Sequence, residues 1–411
     1  MTHSRDRSTD AAVPRDIVIL STADWDNPFW TNKQHVACQL AERGFRVLYI
    51  DSLGLRRPSA RAQDFARIRQ RLRRAFDRPR YVRDRLCVWS PIALPFQASG
   101  AVRTLNRRLL SFSLGGQLKR LGFTRPLLWT YNPLTARLLD PDAFDSIVYH
   151  CVDDISAQPG MPAHVLATAE EELARNAAII FATSPRLCET RRRWNRNTHF
   201  LPNVADYDHF SRALEPGLAL PADLADVPGP RVGFIGALSS YKVDFELLRT
   251  AAHARPKLSF VLVGKVGEGD PWTDSSSLHG LDNLHVLGAR PYAELPAYLK
   301  GFDVALLPNR INDYTASMFP MKFFEYLAAG RPVVATDLPA IRQYERIVHL
   351  APTVESFLAG IDAAVEGHAA PLENRLAAAM ANTWDARMDR MLELLADMDA
   401  RSRQRREGKA A

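Results

Sequence analysis

At 411 residues the chain is too long for one ordinary core, so two domains are expected. It is 46% apolar and 24% charged. It has no apolar run of membrane-span length, and MTHSRDRSTDAAVPRD lacks the apolar stretch of a secretory signal. The net charge of +7 is uneven: residues 51–120 carry 17 Lys and Arg against 4 Asp and Glu, a local surplus of +13.

In chain order, a polar tail (1–15) precedes the strand DIVILS (16–21), a helix over 31–44 and the strand RVLYID (46–51). LCVWS (86–90), PLLWTY (126–131), SIVYHCV (146–152) and AIIFATS (178–184) follow, separated by helical patterns. Continuous Val/Ile/Leu runs spaced by helices indicate a parallel sheet covered on both faces. A proline-rich break at 213–230 reads as a linker. The alternation then restarts with RVGFIGAL (231–238), LSFVLVG (258–264), LHVLG (284–288), DVALLP (303–308) and PVVATDL. The expected division is therefore an N-terminal domain at 16–212, a second domain at 231–370, one long amphipathic helix at 371–398 that packs back on the first domain, and a basic tail at 399–411. Cys38, Cys87, Cys151 and Cys188 are scattered, which points to neither a disulfide framework nor a zinc site.

Ligands of open parallel sheets gather at the carboxyl ends of the strands, so a cleft between two such domains is the place to look. After DVALLP the chain reads NRINDYTAS and then MFPMKFFEYLAAG, a helix apolar almost all round that nevertheless carries Lys322 and Glu325 three residues apart. Ser317 is the expected N-cap, with the N–H groups near Met318 free for a phosphate. A bound diphosphate would satisfy Lys322, and Glu325 would accept two hydroxyls of a ribose. The alternative is an internal ion pair without a ligand. Burying such a pair tends to cost more than it returns, which favours the ligand.

SMFPMKFFEYLAAGRPVVATDLP (317–339) resembles the donor segment of GT-B glycosyltransferases, group 1 type, in which two Rossmann-like domains face each other across a cleft and a C-terminal helix crosses back. FLPNVADYDHF (200–210), RVGFIGALSSYKVDFELL (231–248) and NLHVLGARPYAELPAYLKGFDVALLP (283–308) are similar to further segments of that group, in the same order. The resemblance is nearest to bacterial enzymes of exopolysaccharide and teichuronic acid synthesis. It implies an α/β protein of GT-B architecture that moves a sugar from a nucleotide-diphosphate sugar, UDP-sugar favoured, to a glycan or lipid-linked acceptor. It implies no cofactor and no metal. The donor set it implies is Gly236, Lys242, Arg290, Ser317, Met318, Lys322 and Glu325. Two departures stand out. Many relatives carry a second glutamate where this chain has Ser317, and an arginine where it has Ala237.

For the acceptor side, STADWDNPFWTNKQH (21–35) offers Trp25, Asn32 and His35 as sugar contacts, with loop packing as the alternative. VYHCVDDIS (148–156) ends a strand on Asp153 and Asp154, one of which would serve as general base while the other caps the next segment. ARAQDFARIRQRLRRAF (60–76) places Phe65, Ile68 and Leu72 on one stripe among arginines, a pattern for an anionic membrane surface or for a helix packed on the domain. No nucleic-acid-binding module is recognised. The expected location is cytoplasmic, peripheral at the inner face of the cell membrane. A nucleotide-sugar epimerase of the same fold and a non-catalytic nucleotide-sugar scaffold are the rival functions.

Overall fold

Fourteen strands assemble into two sheets in the computed structural model, which describes residues 15–27, 30–53, 79–92, 100–267, 270 and 272–410. The first sheet comprises β1 (Asp16–Leu20), β2 (Arg46–Ile50), β3 (Arg80–Arg83), β4 (Leu86–Trp89), β5 (Leu127–Thr130), β6 (Ile147–Cys151), β7 (Ile179–Ala182) and β8 (Thr198–Phe200). Its order is β3-β4-β2-β1-β5-β6-β7-β8, parallel except for β3 against β4. The second comprises β9 (Arg231–Ile235), β10 (Ser259–Val263), β11 (Leu284–Gly288), β12 (Val304–Leu307), β13 (Val333–Thr336) and β14 (His349–Ala351). Its order is β11-β10-β9-β12-β13-β14, parallel throughout. Each sheet has an apolar cluster on both faces, as continuous rather than alternating hydrophobic strands require. Among the described residues, the strands with no expectation were β3, β8 and β14. The first is an edge strand reading RYVR and the others have three residues each, so none shows an apolar run.

The division into domains differs from the expected one in two places. The chain leaves the first sheet after β8 and joins the second domain at once. Ala205, Phe210, Ala213, Leu224 and Val227 are all buried in the second domain's core. The 213–230 stretch is thus packed rather than a free linker, and Lys300 Nζ donates to the carbonyls of Glu215, Pro216 and Leu218. The long C-terminal helix is two helices. Leu372–Met380 stays on the second domain, where Arg375 donates to the Gly330 carbonyl. Trp384–Ala410 crosses to the first and runs on through the expected basic tail. Trp384, Met388, Met391 and Leu395 enter the first domain's core beside Ile17, Ile19 and Val36. The two crossings lie side by side: the Ala205 N–H donates to the Asn382 carbonyl, and Ala205 bridges Thr383.

A buried polar chain closes this junction. Arg387 donates through Nη1 to Asn32 Oδ1 (2.8 Å) and through Nη2 to His150 Nε2 (2.7 Å). Asn32 Nδ2 donates to Asn203 Oδ1 (3.0 Å), and Asn203 Nδ2 donates to the Phe319 carbonyl (2.6 Å). The other ring nitrogen, Nδ1, lies 3.0 Å from the Tyr131 hydroxyl and 3.3 Å from the Trp129 indole N–H, which donates to it. Burial, with Arg387 and Lys33 beside it, holds the His150 pKa well below the ordinary value. The unfolded chain therefore binds a proton below about pH 6.5 that the folded protein excludes. Stability should be full above that value and fall on acidification by roughly 1.4 kcal/mol per pH unit for this histidine. Denaturant melts between pH 7.5 and 5 measure the slope, and His150→Gln should make it shallower.

Candidate active site

The donor segment begins differently from its sequence expectation. The helix that carries Lys322 runs from Lys322 to Ala328, and Ser317 instead closes the short helix Asp313–Ala316. Pro320 explains the shift, because a proline excludes the residue before it from the helical region, here Phe319. The Met318 N–H is consequently not free for a phosphate; it donates to the Thr315 carbonyl (3.1 Å). The Ser317 and Phe319 carbonyls turn to the first domain instead. Ser184 Oγ donates to the Ser317 carbonyl at 2.8 Å, and Asn203 holds that of Phe319.

Within Lys322–Ala328, Phe323, Phe324, Tyr326 and Leu327 are fully buried, and the Tyr326 hydroxyl ties the helix to the Ile235 peptide. Glu325 is 4% exposed and paired with Lys322 Nζ at 2.7 Å. Burial raises the carboxyl pKa while Lys322 opposes it. Asp206 adds to that rise, and Glu325 and Asp206 in turn act on the half-buried Tyr292, whose ring stacks on His209. Asp206, Tyr292, Trp30, His35, Arg83 and Trp384 line a pocket of about 700 Å³ between the domains, within the range of small-ligand sites.

On the second sheet, Gly236 follows β9. Its carbonyl lies 1.7 Å from where a Cβ on Gly264 would stand, so only glycine at 264 allows these two loops to meet. Lys242 does not open the next helix. Asp244 caps it through the Leu247 N–H, and the Lys242 ammonium lies over the rings of Tyr241 (5.2 Å) and Tyr314 (5.4 Å). Across the cleft, the Tyr314 hydroxyl donates to Asp153 Oδ1 at 3.0 Å. Asp153 thus stands at the carboxyl edge of the first sheet, facing the second domain. Asp154 accepts from Ser156 Oγ and lies 3.8 Å from Arg191.

Sequence reading passed over Lys33 and Tyr314. Lys33 sits in the first turn of Asn32–Glu42, 8% exposed, with its ammonium 5.6 Å from the centre of the Tyr131 ring. Among the described residues it has neither a hydrogen-bond nor an ion-pair partner. Burial lowers its pKa, Asp153 acts against that, and Lys242 acts with it. Lys33 of the first domain thus lies within electrostatic range of Asp153 and of Lys242, which sits over the ring of the tyrosine that donates to Asp153. The signal in the sequence was a lysine in the first turn of a helix, where it opposes the helix dipole.

Four of the expected contacts are corrected. The Asn32 amide is consumed by Arg387 and Asn203. Trp25 is buried against Tyr49 and Trp30. Arg290 pairs with Asp223 and donates to the Tyr298 hydroxyl, bracing the 213–230 stretch. The fourth is Ser317 as a cap. His35 does reach the pocket, stacked on Trp384 at 4.6 Å, with its pKa lowered to about 3 chiefly by burial. The basic helix expected at 60–76 lies outside the described residues.

Paired parallel sheets facing across a cleft, with a helix crossing back, define the GT-B architecture. Residues 229–366 match the family described as glycosyl transferases group 1. A protein of Bacillus subtilis (strain 168) named for glycosyl transfer in teichuronic acid biosynthesis, TuaH, is 28% identical over 236 residues, 54% of this chain and 58% of that protein. The chain thus spans little more than half of that relative's length. Sucrose-phosphate synthase from Thermosynechococcus elongatus superposes with TM-score 0.66 at 16% identity, covering 94% of this chain and 99% of the other. Anabaena Alr3699/HepE in complex with UDP superposes with TM-score 0.62 at 16% identity, covering 93% and 99%. Residues 229–366 are thus similar to the group 1 glycosyltransferases, and the chain as a whole has the GT-B fold.

The bracing role of Arg290 separates stability from binding. Arg290→Ala should lower unfolding stability by about 1–3 kcal/mol, since Asp223 and Tyr298 lose their partner. The stabilisation by an added nucleoside diphosphate, read as a melting-temperature shift, should remain that of the unaltered chain.

Proposed function

We propose that this protein transfers a sugar from a nucleotide-diphosphate sugar to a glycan or lipid-linked acceptor in cell-surface polysaccharide synthesis. The observation that carries the reading is the meeting of Asp153, Tyr314, Lys33 and Lys242 across the cleft, beside the second domain that carries the buried Lys322–Glu325 pair. UDP is favoured as the nucleotide because Anabaena HepE was solved with UDP and with UDP-glucose. The relative named for teichuronic acid synthesis supports a surface polysaccharide as the product. The same comparisons favour neither an epimerase nor a scaffold.

In this reading Glu325 accepts the ribose hydroxyls and Lys322 faces the diphosphate. Lys33 and Lys242 hold the same group from the opposite side, where developing negative charge on the leaving group makes fixed cations effective. Lys33 thereby supplies a positive charge that the chain lacks at Ala237. Asp153 takes the proton of the acceptor hydroxyl as oxygen attacks the anomeric carbon and the bond to the diphosphate breaks. Tyr314 occupies one carboxylate oxygen and leaves the other for the proton; burial and the charge of Asp153 push its own pKa far up, so it remains a donor.

Four variants test these roles. Glu325→Ala should mainly weaken donor binding, whereas Lys322→Ala should lower kcat as well, because charge grows on the leaving group. Unchanged affinity and turnover in both would return the pair to a structural role.

Lys33→Met should reduce the preference for UDP over uridine by about tenfold or more, measured by calorimetry. An unchanged ratio would remove Lys33 from the diphosphate.

Asp153→Asn should keep donor binding and lose transfer by about 10²-fold or more, with an inverted anomeric configuration in the wild-type product. Near-normal transfer would exclude the residue, and a retained configuration would exclude the single displacement.

A further inference from the structure

The helix Gly100–Leu121 buries one face and leaves the opposite one uncovered. Asn106, Leu110 and Leu114 point into the first domain. Leu105 (46% exposed), Leu109 (40%) and Phe112 (88%) are spaced by four and three residues, so they form one outward stripe. Arg108 belongs to that same stripe, and Lys119 follows about two turns on from Phe112. Over its 22 residues the helix carries Arg103, Arg107, Arg108, Lys119 and Arg120 and not one carboxylate. Arg107, Arg108, Lys119 and Arg120 are exposed, and none has an ion-pair partner among the described residues. At Gly115 and Gly116 nothing lies within 4 Å of where a Cβ would stand, so this end of the helix is open too.

Each feature alone has an ordinary explanation; together they select one occupant. Exposed arginines by themselves are a solvated face, and a phosphate backbone would need no phenylalanine beside them. A second copy docking through the same face would oppose four exposed cations to four. An interfacial helix needs an apolar stripe flanked by cations, with the rings and aliphatic chains below the headgroups and the charges among them. We propose that the outward face of Gly100–Leu121 docks this protein on an anionic lipid surface, with Leu105, Leu109 and Phe112 inserted. The inference agrees with a lipid-linked acceptor but does not depend on glycosyl transfer.

The full chain is sedimented with phosphatidylcholine vesicles with and without phosphatidylglycerol. Binding to the anionic vesicles is expected, weakening as salt is raised. L105S/L109S/F112S changes only outward side chains and should weaken that binding by about tenfold or more, and R107Q/R108Q/K119Q/R120Q should abolish the preference for phosphatidylglycerol. The thermal shift with UDP should survive in both. A UDP response absent from the wild type would count against the proposed function and leave the docking result standing. Absence of vesicle binding by the wild type overturns the inference. So does equal binding by the triple serine variant. Loss of binding in F65S/I68S/L72S alone would move the surface to residues 60–76 and overturn it as well. A dimer that sediments without vesicles and dissociates in the triple variant would assign the face to a second copy, also against it.

Discussion

A buried guanidinium without a carboxylate partner holds this molecule together. Arg387 is 5% exposed, its Nε has no partner, and burial lowers its pKa to about 10. Its cost is offset by two neutral acceptors, the Asn32 side-chain oxygen and the unprotonated nitrogen of His150. Each acceptor is available only in one arrangement. Asn32 must turn its amide nitrogen to Asn203, and His150 must stay neutral. One side chain on the crossing helix thereby fixes the first helix, the β6 strand and the inward crossing together. Apart from the Arg387 Nε, the polar atoms of this chain that point along it are paired, and pairing of that kind favours a single geometry.

That geometry reaches the site through the backbone. Asn203 is fixed at one end by Asn32 and at the other grips the Phe319 carbonyl, one residue before Pro320. The proline keeps Phe319 out of the helix, which is what frees its carbonyl for the opposite domain. Ser184 does the same for Ser317 two residues earlier. The donor segment is therefore positioned by the first domain as well as by its own, and Tyr314, just upstream, is delivered onto Asp153. The departures from the family pattern fall on this same segment and the loop facing it. Where relatives place a glutamate, Ser317 supplies a carbonyl for the domain junction.

Charge is distributed on the same principle of separation. In the second domain Lys322 lies with Glu325, Arg290 with Asp223 and Lys242 over two phenolic rings. The surplus lies in the first domain, where the helix Gly100–Leu121 presents cations and apolar side chains together. The proposed nucleotide site and the proposed lipid-facing surface thus fall in different parts of the chain.

The sequence by itself determined the two parallel sheets, because strands buried on both faces must read as unbroken apolar runs, and that pattern is local. It also determined the unusual pairing of Lys322 with Glu325 in an apolar helix, and the strand-end position of Asp153. Only the tertiary structure decided which residues share the cleft. Asn32, Trp25 and Arg290 have side chains suited to a ligand, and each is used by a partner at least 20 residues away that no local pattern names: Arg387 and Asn203, Tyr49, and Asp223. Lys33 and Tyr314 were passed over for the converse reason. A helix lysine and a loop tyrosine are unremarkable until a fold brings them from opposite domains onto one carboxylate, and hydrogen bonds and desolvation depend on distance in space rather than along the chain.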